Sequence, residues 1–440
     1  MSQLPNTAVG LRAALRQGDI SHDQALATQL RLFDRAGKRW QCVTHTLSVQ
    51  ERSSDAELPL SGVGLAHKDI FDLPGRRPGL GRGLGSADPT VKQALAIGQL
   101  QAAGALNLGA LTMAEDASSA VAQTRNLPTP LNPRDPSVAV GGSSSGSGVA
   151  VAAGMVYASL GTDTAGSVRL PAMTCGVLGL KTTHGLISRQ GVAPLSNSLD
   201  SVGILARGCD DIKLVLQALC NKDDLRKENE SPTVGFWLPE IGLSPSIQPL
   251  VEDVFKGYAT IGVDASAHEM RASALMQVVM ATETAQVHRA RIADGQACPQ
   301  VRAMGTLGLS MPQLWYQAAI GRRAHWLQAF LSDVMRQTDV LMVPLQVEEL
   351  PLADEVYVGS PGFSVPKLLA LHRFCGWVNY LGIPAISVPI GKDRHGRSFS
   401  VQLLAKPRDE LTLLRVARRL EHDIYGENGI APTVLEEDLI

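Results

Sequence analysis

The sequence of 440 residues predicts a layered α/β fold. Short apolar runs typical of buried strands alternate along the chain with longer segments in which apolar residues recur at helical spacing. Hydrophobic residues make up 45% of the chain and charged residues only 19%, which indicates a large interior. At roughly 150 residues per domain, the length allows about three domains or one unusually large one.

The individual elements follow from local signals. Ser21 is a candidate N-cap, Gly104 is typical of a helix C-terminus, and Pro171 fits the first turn of a helix. The predicted strands lie at 62–71, 105–111, 137–140, 177–180, 233–237, 340–343 and 385–389. The predicted helices lie at 8–36, 91–103, 149–159, from 168 onward, 322–337 and 409–422, with a loop at 74–85 and a charged linker at 221–232.

Composition argues against several classes of protein. Lys and Arg number 40 and Asp and Glu 42, so the net charge of −2 argues against an extended nucleic-acid-binding surface. No apolar stretch reaches the roughly 18 residues of a membrane helix, and the N-terminus lacks a secretory pattern. The six cysteines show no CxxC spacing and the ten histidines are dispersed. We therefore expect reduced thiols, a cytoplasmic protein and no metal site.

Two loops rich in glycine and serine, at 141–148 and 161–167, each precede a predicted helix. Successive backbone N–H groups and the positive end of a helix dipole suit either a phosphate or a developing oxyanion. A phosphate-binding loop would end in Gly-Lys-Ser/Thr, which neither loop supplies, and the dinucleotide pattern G-x-G-x-x-G is absent. The loops therefore favour acyl transfer.

One form of acyl transfer would use Ser144. Residues 142–146 match G-x-S-x-G, which places this serine at an elbow between a strand and a helix, as in an esterase. The pattern is short, the loop is rich in both residue types, and no downstream histidine stands out. Otherwise Ser144 is a locally hydrogen-bonded loop residue or a support behind the site.

A larger set of motifs resembles the amidase signature family. The motifs are Ala66-His-Lys-Asp-Ile-Phe-Asp72, Gly141-Gly-Ser-Ser-Ser-Gly-Ser147, Gly161-Thr-Asp-Thr-Ala-Gly-Ser-Val-Arg-Leu-Pro-Ala172, Cys175-Gly176, Gly179-Leu-Lys-Thr-Thr183, Ser198-Leu-Asp-Ser-Val-Gly203 and Asn379-Tyr-Leu-Gly-Ile-Pro-Ala-Ile-Ser-Val-Pro389. The resemblance is dense over 60–210, loose over 320–425 and weak over 240–320.

The resemblance implies one large α/β/α domain, with a central mixed, twisted sheet covered by helices on both faces. Within it, residues 1–60 would form an N-terminal helical segment packed on the core, and residues 61–440 the amidase domain.

It also implies a catalytic unit of two serines and a lysine. Carried over position by position, Ser167 is the nucleophile, Ser143 a bridging serine after a cis peptide bond, and Lys68 the base. Backbone N–H groups of the second loop, that of Ser167 included, would form the oxyanion hole. The other candidates for the oxyanion hole and for substrate binding are Thr164, Ala165, Gly166, Ser144 and Met113.

The chemistry of such a unit is consistent. A serine hydroxyl needs an adjacent base, and a charged ammonium cannot accept a proton, so Lys68 must be kept neutral by burial. Ser143 would relay the proton. Taken singly, Ser167 could merely cap a helix and Lys68 could pair with Asp69. We expect His67 to point away from the site, as a packed and hydrogen-bonded residue.

The sequence departs from the family's motifs at Ala165, Ser145, Thr182 and Ile204. Ala165 replaces a glycine of the oxyanion loop, and its methyl group is tolerable only if φ is negative there. Asp163, Arg169 and Asp200 are expected to hold loops. Arg322 and Arg323 are expected on a solvated helix face, with binding of a substrate carboxylate as the alternative.

These observations predict an amidase that hydrolyses a linear carboxamide through a seryl acyl-enzyme, giving a carboxylate and ammonia or an amine. No cofactor is expected. The expected partner is a small-molecule amide, with neither nucleic acid nor membrane, and a homodimer is compatible with the resemblance. The alternatives are the glutaminase subunit of a tRNA-dependent amidotransferase, an esterase using Ser144, and a binding protein without activity.

Overall fold

The computed structural model describes residues 4–49, 57–240, 243–258, 261–426 and 429–433, so residues 50–56 of the predicted N-terminal segment lie outside the described residues. The strands are β1 (Val43–Thr46), β2 (Gly64–Lys68), β3 (Arg76–Arg77), β4 (Ser86–Ala87), β5 (Leu106–Leu111), β6 (Ala158–Asp163), β7 (Leu178–Lys181), β8 (Ser201–Ala206), β9 (Val234–Phe236), β10 (Ile261–Gly262), β11 (Val340–Pro344), β12 (Ala385–Lys392) and β13 (Ser398–Ala405). The helices are α1 (Ala8–Gln17), α2 (His22–Trp40), α3 (Leu95–Ala102), α4 (Ser145–Ala152), α5 (Arg169–Cys175), α6 (Cys209–Leu219), α7 (Gln248–Tyr258), α8 (Ser266–Val287), α9 (Arg289–Ala293), α10 (Pro299–Leu309), α11 (Gln313–Gly321), α12 (Arg323–Asp333), α13 (Ala353–Val356), α14 (Val365–His372), α15 (Gly376–Leu381) and α16 (Glu410–Tyr425).

Eleven of the described strands build one mixed sheet in the order β1-β5-β2-β6-β8-β7-β12-β13-β11-β9-β10, and β3 and β4 pair in a separate two-stranded sheet. Strands β5, β2 and β6 are mutually parallel, and β9 is parallel to both β10 and β11. The other neighbouring pairs are antiparallel. Because β2 and β6 run in the same direction, their carboxyl ends meet at one edge of the sheet, where Lys68 ends β2 and Asp163 ends β6.

Helices cover both faces of this sheet. Successive residues of a strand point to opposite faces, and on β2 Leu65 and Ala66 belong to different apolar clusters. On β8, Ile204 and Leu205 divide in the same way. One cluster includes residues of α1, α3, α6 and α16, and the other includes residues of α2, α4 and α5. The predicted α/β/α architecture is therefore confirmed.

Much of the local prediction around the sheet is confirmed. Strands β2, β5, β7, β9, β11 and β12 lie in or overlap the predicted ranges, and α3, α12 and α16 overlap predicted helices. Ser21 caps α2 in a capping box with Gln24. Strand β1 lies in the predicted N-terminal helical segment and pairs antiparallel with β5, so this segment also supplies an edge strand. The division between 1–60 and 61–440 stays a prediction.

The prediction is wrong at two places before the second loop. Residues 137–140 form an isolated bridge between Val138 and Leu352 rather than a strand. The helix predicted at 149–159 is α4, which begins at Ser145, and β6 occupies the end of the predicted range. Glycine within α4 reflects packing, because a Cβ on Gly148 would lie 2.8 Å from the carbonyl oxygen of Pro171.

Strands β8 and β13 and the helices α7 to α11 were not predicted. In the part of the chain that the structure describes, no helix combines the length and apolar character needed to cross a bilayer.

Candidate active site

Lys68 lies at the carboxyl end of β2 and is buried with only 1% of its surface exposed. Its Nζ donates hydrogen bonds to Ser143 Oγ and to Thr162 Oγ1, each at 2.8 Å. Asp69, its neighbour in sequence, pairs with Arg76 at 2.8 Å, so the alternative of a Lys68–Asp69 ion pair is wrong. Burial lowers the pKa of Lys68 to about 7, although the charges of two nearby carboxylates oppose this shift. The amine can therefore exist in its neutral form near neutral pH.

Ser143 is fully buried in the first glycine- and serine-rich loop. Its carbonyl oxygen accepts a hydrogen bond from Ala114 N at 3.0 Å, and Gly146 N donates to Thr112 O at 2.8 Å. These bonds attach the loop to the segment that follows β5, beside Lys68. The peptide bond between Gly142 and Ser143 is cis, as the resemblance implies.

Ser167 ends the second loop, before α5, and is 8% exposed. Ser144 N donates to the Ser167 carbonyl oxygen at 3.1 Å, which joins the two loops next to the two candidate hydroxyl groups. Among the hydrogen bonds of the described residues, none joins the Ser143 hydroxyl to the Ser167 hydroxyl. Ser167 is not the N-cap residue of α5, because Val168 occupies that position, and no side-chain cap hydrogen bond is formed there.

The second loop is held by a buried ion pair between Asp163 and Arg169, whose Nη2–Oδ1 distance is 2.9 Å. Burial alone would raise the pKa of Asp163, but the charge and hydrogen bonds of Arg169 outweigh burial and lower it. Asn379 accepts from Arg169 at 2.7 Å and donates to the Asp163 carbonyl oxygen at 2.8 Å. Asp163 and Arg169 thus hold the loop, as predicted, and Asn379 ties it to α15.

The predicted oxyanion hole needs one correction. Gly166 N donates to Asp163 Oδ1 at 2.8 Å, so this N–H group is used by the loop itself and is not available to an oxyanion. Within the described residues, the N–H groups of Ala165 and Ser167 donate to no protein acceptor. Gly166 has a φ of 114°, whereas Ala165 is not among the residues with positive φ, so its methyl group is tolerated.

Thr164 lies on this loop and is held from behind. Its Oγ1 donates to Asp200 Oδ1 at 2.6 Å, and Asp200 Oδ2 accepts from the backbone N–H groups of Leu195 and Ser196. Asp200 therefore holds two loops together, as predicted. Burial raises the pKa of its carboxyl group, although these hydrogen bonds act in the opposite direction.

A cavity of about 340 Å³ opens beside the second loop. Its lining residues from the loop and α5 are Thr164, Ala165, Ser167 and Leu170, and the other lining residues are Ala117, Ser118, Ser119, Ala120, Leu195, Met276, Gln277, Met280, Gln300, Ala303, Met304, Leu368, Leu369 and His372. The cavity is in the size range of small-molecule sites. The sequence did not identify the individual residues of this wall, because α8, α10 and α14 carry no recognisable motif.

Two residues predicted to contact the substrate, Met113 and Ser144, lie outside the lining of this cavity. Met113 is fully buried in the apolar core and is not among the residues that line the cavity. Ser144 is also fully buried and outside the lining, and its Oγ donates to Thr162 O at 3.3 Å. Ser144 is thus a support between the first loop and β6, and a carbonyl substrate could not reach it.

Several neighbouring residues have structural roles. His67 points away from Lys68 and its Nδ1 accepts from Leu160 N at 3.1 Å, which confirms a packed, hydrogen-bonded histidine. Burial lowers its pKa to about 3. Arg322 is exposed as predicted, but Arg323 donates to the carbonyl oxygens of Ser198 and Asn379.

The structure brings Glu115, Asp116 and Cys298 close enough for one ligand atom of each to reach a common cation. Arginines already pair with both carboxylates. Arg125 lies 2.8 Å from Glu115 Oε2, and Arg291 pairs with Asp116. The cluster is therefore a buried ion-pair network that fixes the start of the segment lining the cavity.

The chain is similar to known proteins over most of its length. The model of the Amidase family matches residues 41–292 and 257–414, so the chain belongs to the amidase family. It is 29% identical over 423 residues to AtzE, the 1-carboxybiuret hydrolase component of Pseudomonas sp. (strain ADP), covering 90% of each chain. It is 30% identical over 477 residues to a glutamyl-tRNA(Gln) amidotransferase subunit of Halorhodospira halophila (strain DSM 244 / SL1), covering 94% of this chain and 96% of the relative.

A solved structure is similar over nearly the whole chain. It comes from a vestigial protein complex that reveals the origins of an s-triazine catabolic enzyme, with a TM-score of 0.82 and 25% identity. The match covers 98% of this chain and 100% of that one. The protein is thus an amidase-family hydrolase of C–N bonds.

Proposed function

We propose that the chain hydrolyses a linear carboxamide through an acyl-enzyme on Ser167, with Ser143 as proton relay and Lys68 as base. The observation that carries this proposal is the buried Lys68 amine, 2.8 Å from Ser143 Oγ and with a pKa of about 7. A base with a pKa near the working pH is suited to both accepting and returning a proton.

In the first half of the reaction, Ser167 Oγ attacks the amide carbon and a C–O bond forms. The Ser167 proton passes to Ser143 Oγ, and the Ser143 proton passes to neutral Lys68. The relay requires a hydrogen bond from Ser167 to Ser143 in the substrate complex, and catalytic hydrogen bonds often tighten only there. The carbonyl oxygen becomes an oxyanion beside the N–H groups of Ala165 and Ser167, each such donor being worth about 3–4 kcal/mol.

In the second half, the C–N bond breaks and the leaving nitrogen takes a proton from Lys68 through Ser143. Ammonia or an amine departs, and the acyl group remains on Ser167. Water then attacks the ester carbon and gives its proton to the relay, and the carboxylate leaves as Ser167 regains its proton. Every proton that Lys68 accepts is thus returned within one cycle.

The experiment uses separate substitutions of the two serines that compete for the role of nucleophile. Ser167→Ala is expected to abolish acyl-enzyme formation and labelling by a fluorophosphonate, both measured by intact-protein mass. Ser144→Ala is expected to keep both, because Ser144 lies outside the cavity. Labelling that survives Ser167→Ala and disappears in Ser144→Ala would overturn the proposal in favour of the esterase alternative.

A second candidate function is that of a glutaminase subunit that supplies ammonia within an assembly. It is favoured by the 30% identity to a component of glutamyl-tRNA(Gln) amidotransferase. The same three residues would serve it. The purified chain alone should hydrolyse simple amides under the first function, and should need partner subunits and glutamine under the second.

A cytoplasmic location belongs to the same proposal. Its support is that all six cysteines are free thiols, which is usual for a reducing compartment.

A further inference from the structure

We propose that the cavity beside Ser167 is the acyl pocket and selects uncharged amides with an extended apolar acyl group, rather than glutamine or a carboxylated urea. This inference rests on the proposed function, because it assigns the acyl side of the same site. Two observations support it: the side chains that line the cavity are uncharged, and nearby arginines are already bound to carboxylates or carbonyl oxygens.

Much of the pocket wall is apolar. Leu170 and Leu195 line it, and Met276 and Met280 of α8 and Met304 of α10 form the wall contributed by these helices. An apolar acyl chain would bury its surface against these side chains. Methionine side chains are flexible and polarisable, so this wall can adapt to chains of different length and branching.

The polar groups of the pocket are neutral. Besides Thr164 and Ser167 of the second loop, they are Ser118, Ser119, Gln277, Gln300 and His372. His372 Nδ1 lies 3.2 Å from Leu368 O, which can only accept, so the imidazole proton belongs on Nδ1 and Nε2 is left as an acceptor. Burial also lowers the pKa of His372, which keeps the ring uncharged at neutral pH. These groups can orient an amide or hydroxyl group but cannot neutralise a charge.

Four arginines near the site are engaged by other groups. Arg323 is bound to two carbonyl oxygens, Arg169 is paired with Asp163, and Arg125 and Arg291 are paired with carboxylates of the ion-pair network. Among the described residues, none that lines the pocket is an arginine or a lysine.

The neighbouring space does not favour an anion either. An adjoining cavity of about 450 Å³ shares Met276 and His372 with the acyl pocket. Its charged lining residues are Glu269, Glu348 and Arg373, two anions against one cation. A carboxylate on the substrate would therefore lose its hydration without gaining a partner, and burial of an unpaired charge is strongly unfavourable.

A neutral pocket would give this chain different substrates from two of the relatives named above. Free glutamine carries an α-carboxylate and an α-ammonium, and the carboxybiuret in the name of the Pseudomonas relative carries a carboxylate. Neither fits a neutral pocket. A primary amide with an alkyl or aryl acyl group does.

The experiment measures kcat/KM for ammonia release from acetamide, butanamide, hexanamide, adipic acid monoamide and glutamine. Hexanamide and adipic acid monoamide are matched, since the second replaces only the terminal methyl group by a carboxylate. We expect a gain of about fourfold for each added CH2 up to hexanamide. We expect a loss on the order of 100-fold or more for adipic acid monoamide and for glutamine.

A pair of variants tests the cause. Met304→Lys places a cation in the pocket wall and should raise the relative kcat/KM for adipic acid monoamide at least tenfold over hexanamide. Met304→Gln, of similar length and uncharged, should keep the wild-type order of preference. Circular dichroism will show whether Met304→Lys folds. If it does not fold, the kcat/KM values of the wild-type protein for the five amides test the inference on their own.

Competition against fluorophosphonate labelling separates failure of this inference from failure of the proposed function. Better protection of Ser167 by hexanamide than by adipic acid monoamide supports the neutral pocket, whether or not any amide is hydrolysed. Absence of hydrolysis of every amide would overturn the proposed function but not this inference. The inference would be overturned if adipic acid monoamide or glutamine protected Ser167 as well as hexanamide or better. It would also be overturned if their kcat/KM values lay within tenfold of that for hexanamide. Neither result would contradict the assignment of Ser167 as nucleophile.

Discussion

Replacement of Lys68 by methionine is expected to lower activity strongly and at the same time to change how stability depends on pH. Methionine has a similar length and cannot carry a proton. The pKa of Lys68 is about 7 in the folded protein, against 10.5 for an unperturbed lysine. The unfolded chain therefore binds the proton more tightly, and the free energy of unfolding rises with pH between about 7 and 10.5.

The magnitude follows from these two values. The desolvation penalty on Lys68 is on the order of 5 kcal/mol below pH 7 and disappears above pH 10.5. Between pH 7 and pH 9 the wild type should gain about 2 kcal/mol of stability from this group, and Lys68→Met should not. The variant also leaves the hydroxyl groups of Ser143 and Thr162 without the amine, so its absolute stability is less informative than the pH dependence.

The assay is urea unfolding of both proteins at pH 7 and pH 9, beside pH profiles of kcat/KM. Wild-type activity should rise with pH through about 7, and Lys68→Met should lose a factor of about 10²–10⁴. Lys181→Met is the matched control: burial also lowers the pKa of Lys181 to about 7, but its Nζ donates to Thr182 O. This control should lose a similar share of the pH dependence of stability, keep the share that comes from Lys68, and keep the rising limb of activity.

Equal pH dependence of stability in the wild type and in Lys68→Met would refute the reasoning, because the amine would then be protonated in the folded protein. If Lys181→Met loses the rise of activity with pH, that rise reports the titration of Lys181 and not of Lys68, and the reasoning is also refuted.

Two further predictions concern the loops around the nucleophile. Gly166→Ala should lower the free energy of unfolding by roughly 1–3 kcal/mol and lower kcat, because φ is 114° at this position and the new Cβ would lie 2.8 Å from Cys375 Sγ. The control Ala165→Gly should keep kcat within a few-fold of the wild-type value. Thermal unfolding with steady-state kinetics checks this pair, and equal losses in both variants would contradict it. Glu283→Gln should raise KM and lower the unfolding temperature, because the Glu283 carboxylate accepts from Ser196 Oγ at 2.6 Å and so anchors the segment that holds the second loop. An unchanged KM together with a lowered unfolding temperature would limit Glu283 to a structural role.

The reactive groups of the site could be predicted from the sequence because each lies in a contiguous motif. Lys68 ends a short apolar strand, and Ser143 and Ser167 lie in loops whose neighbouring residues match a family pattern. The need for a neutral amine follows from proton chemistry alone. The structure adds that Thr162 is the second partner of Lys68, a contact that follows from the parallel pairing of β2 and β6.

Other features could not be predicted because they depend on contacts between distant segments. The use of Gly166 N by Asp163 removes one predicted oxyanion donor, and a motif cannot reveal which N–H group a carboxylate will occupy. The family resemblance made Met113 a candidate for the pocket, but its side chain is buried in the apolar core. Arg323 is held by two carbonyl oxygens that lie far away in sequence.

The sequence by itself determined the family, the α/β class and the three residues proposed to carry the reaction, since these depend on local spacing and on the chemistry of single side chains. Only the tertiary structure decided the electrostatics and the shape of the site. The pKa of Lys68 depends on how completely the fold removes water from it, and the neutral wall of the acyl pocket is assembled from helices more than a hundred residues after the nucleophile. Neither property exists until the chain is packed.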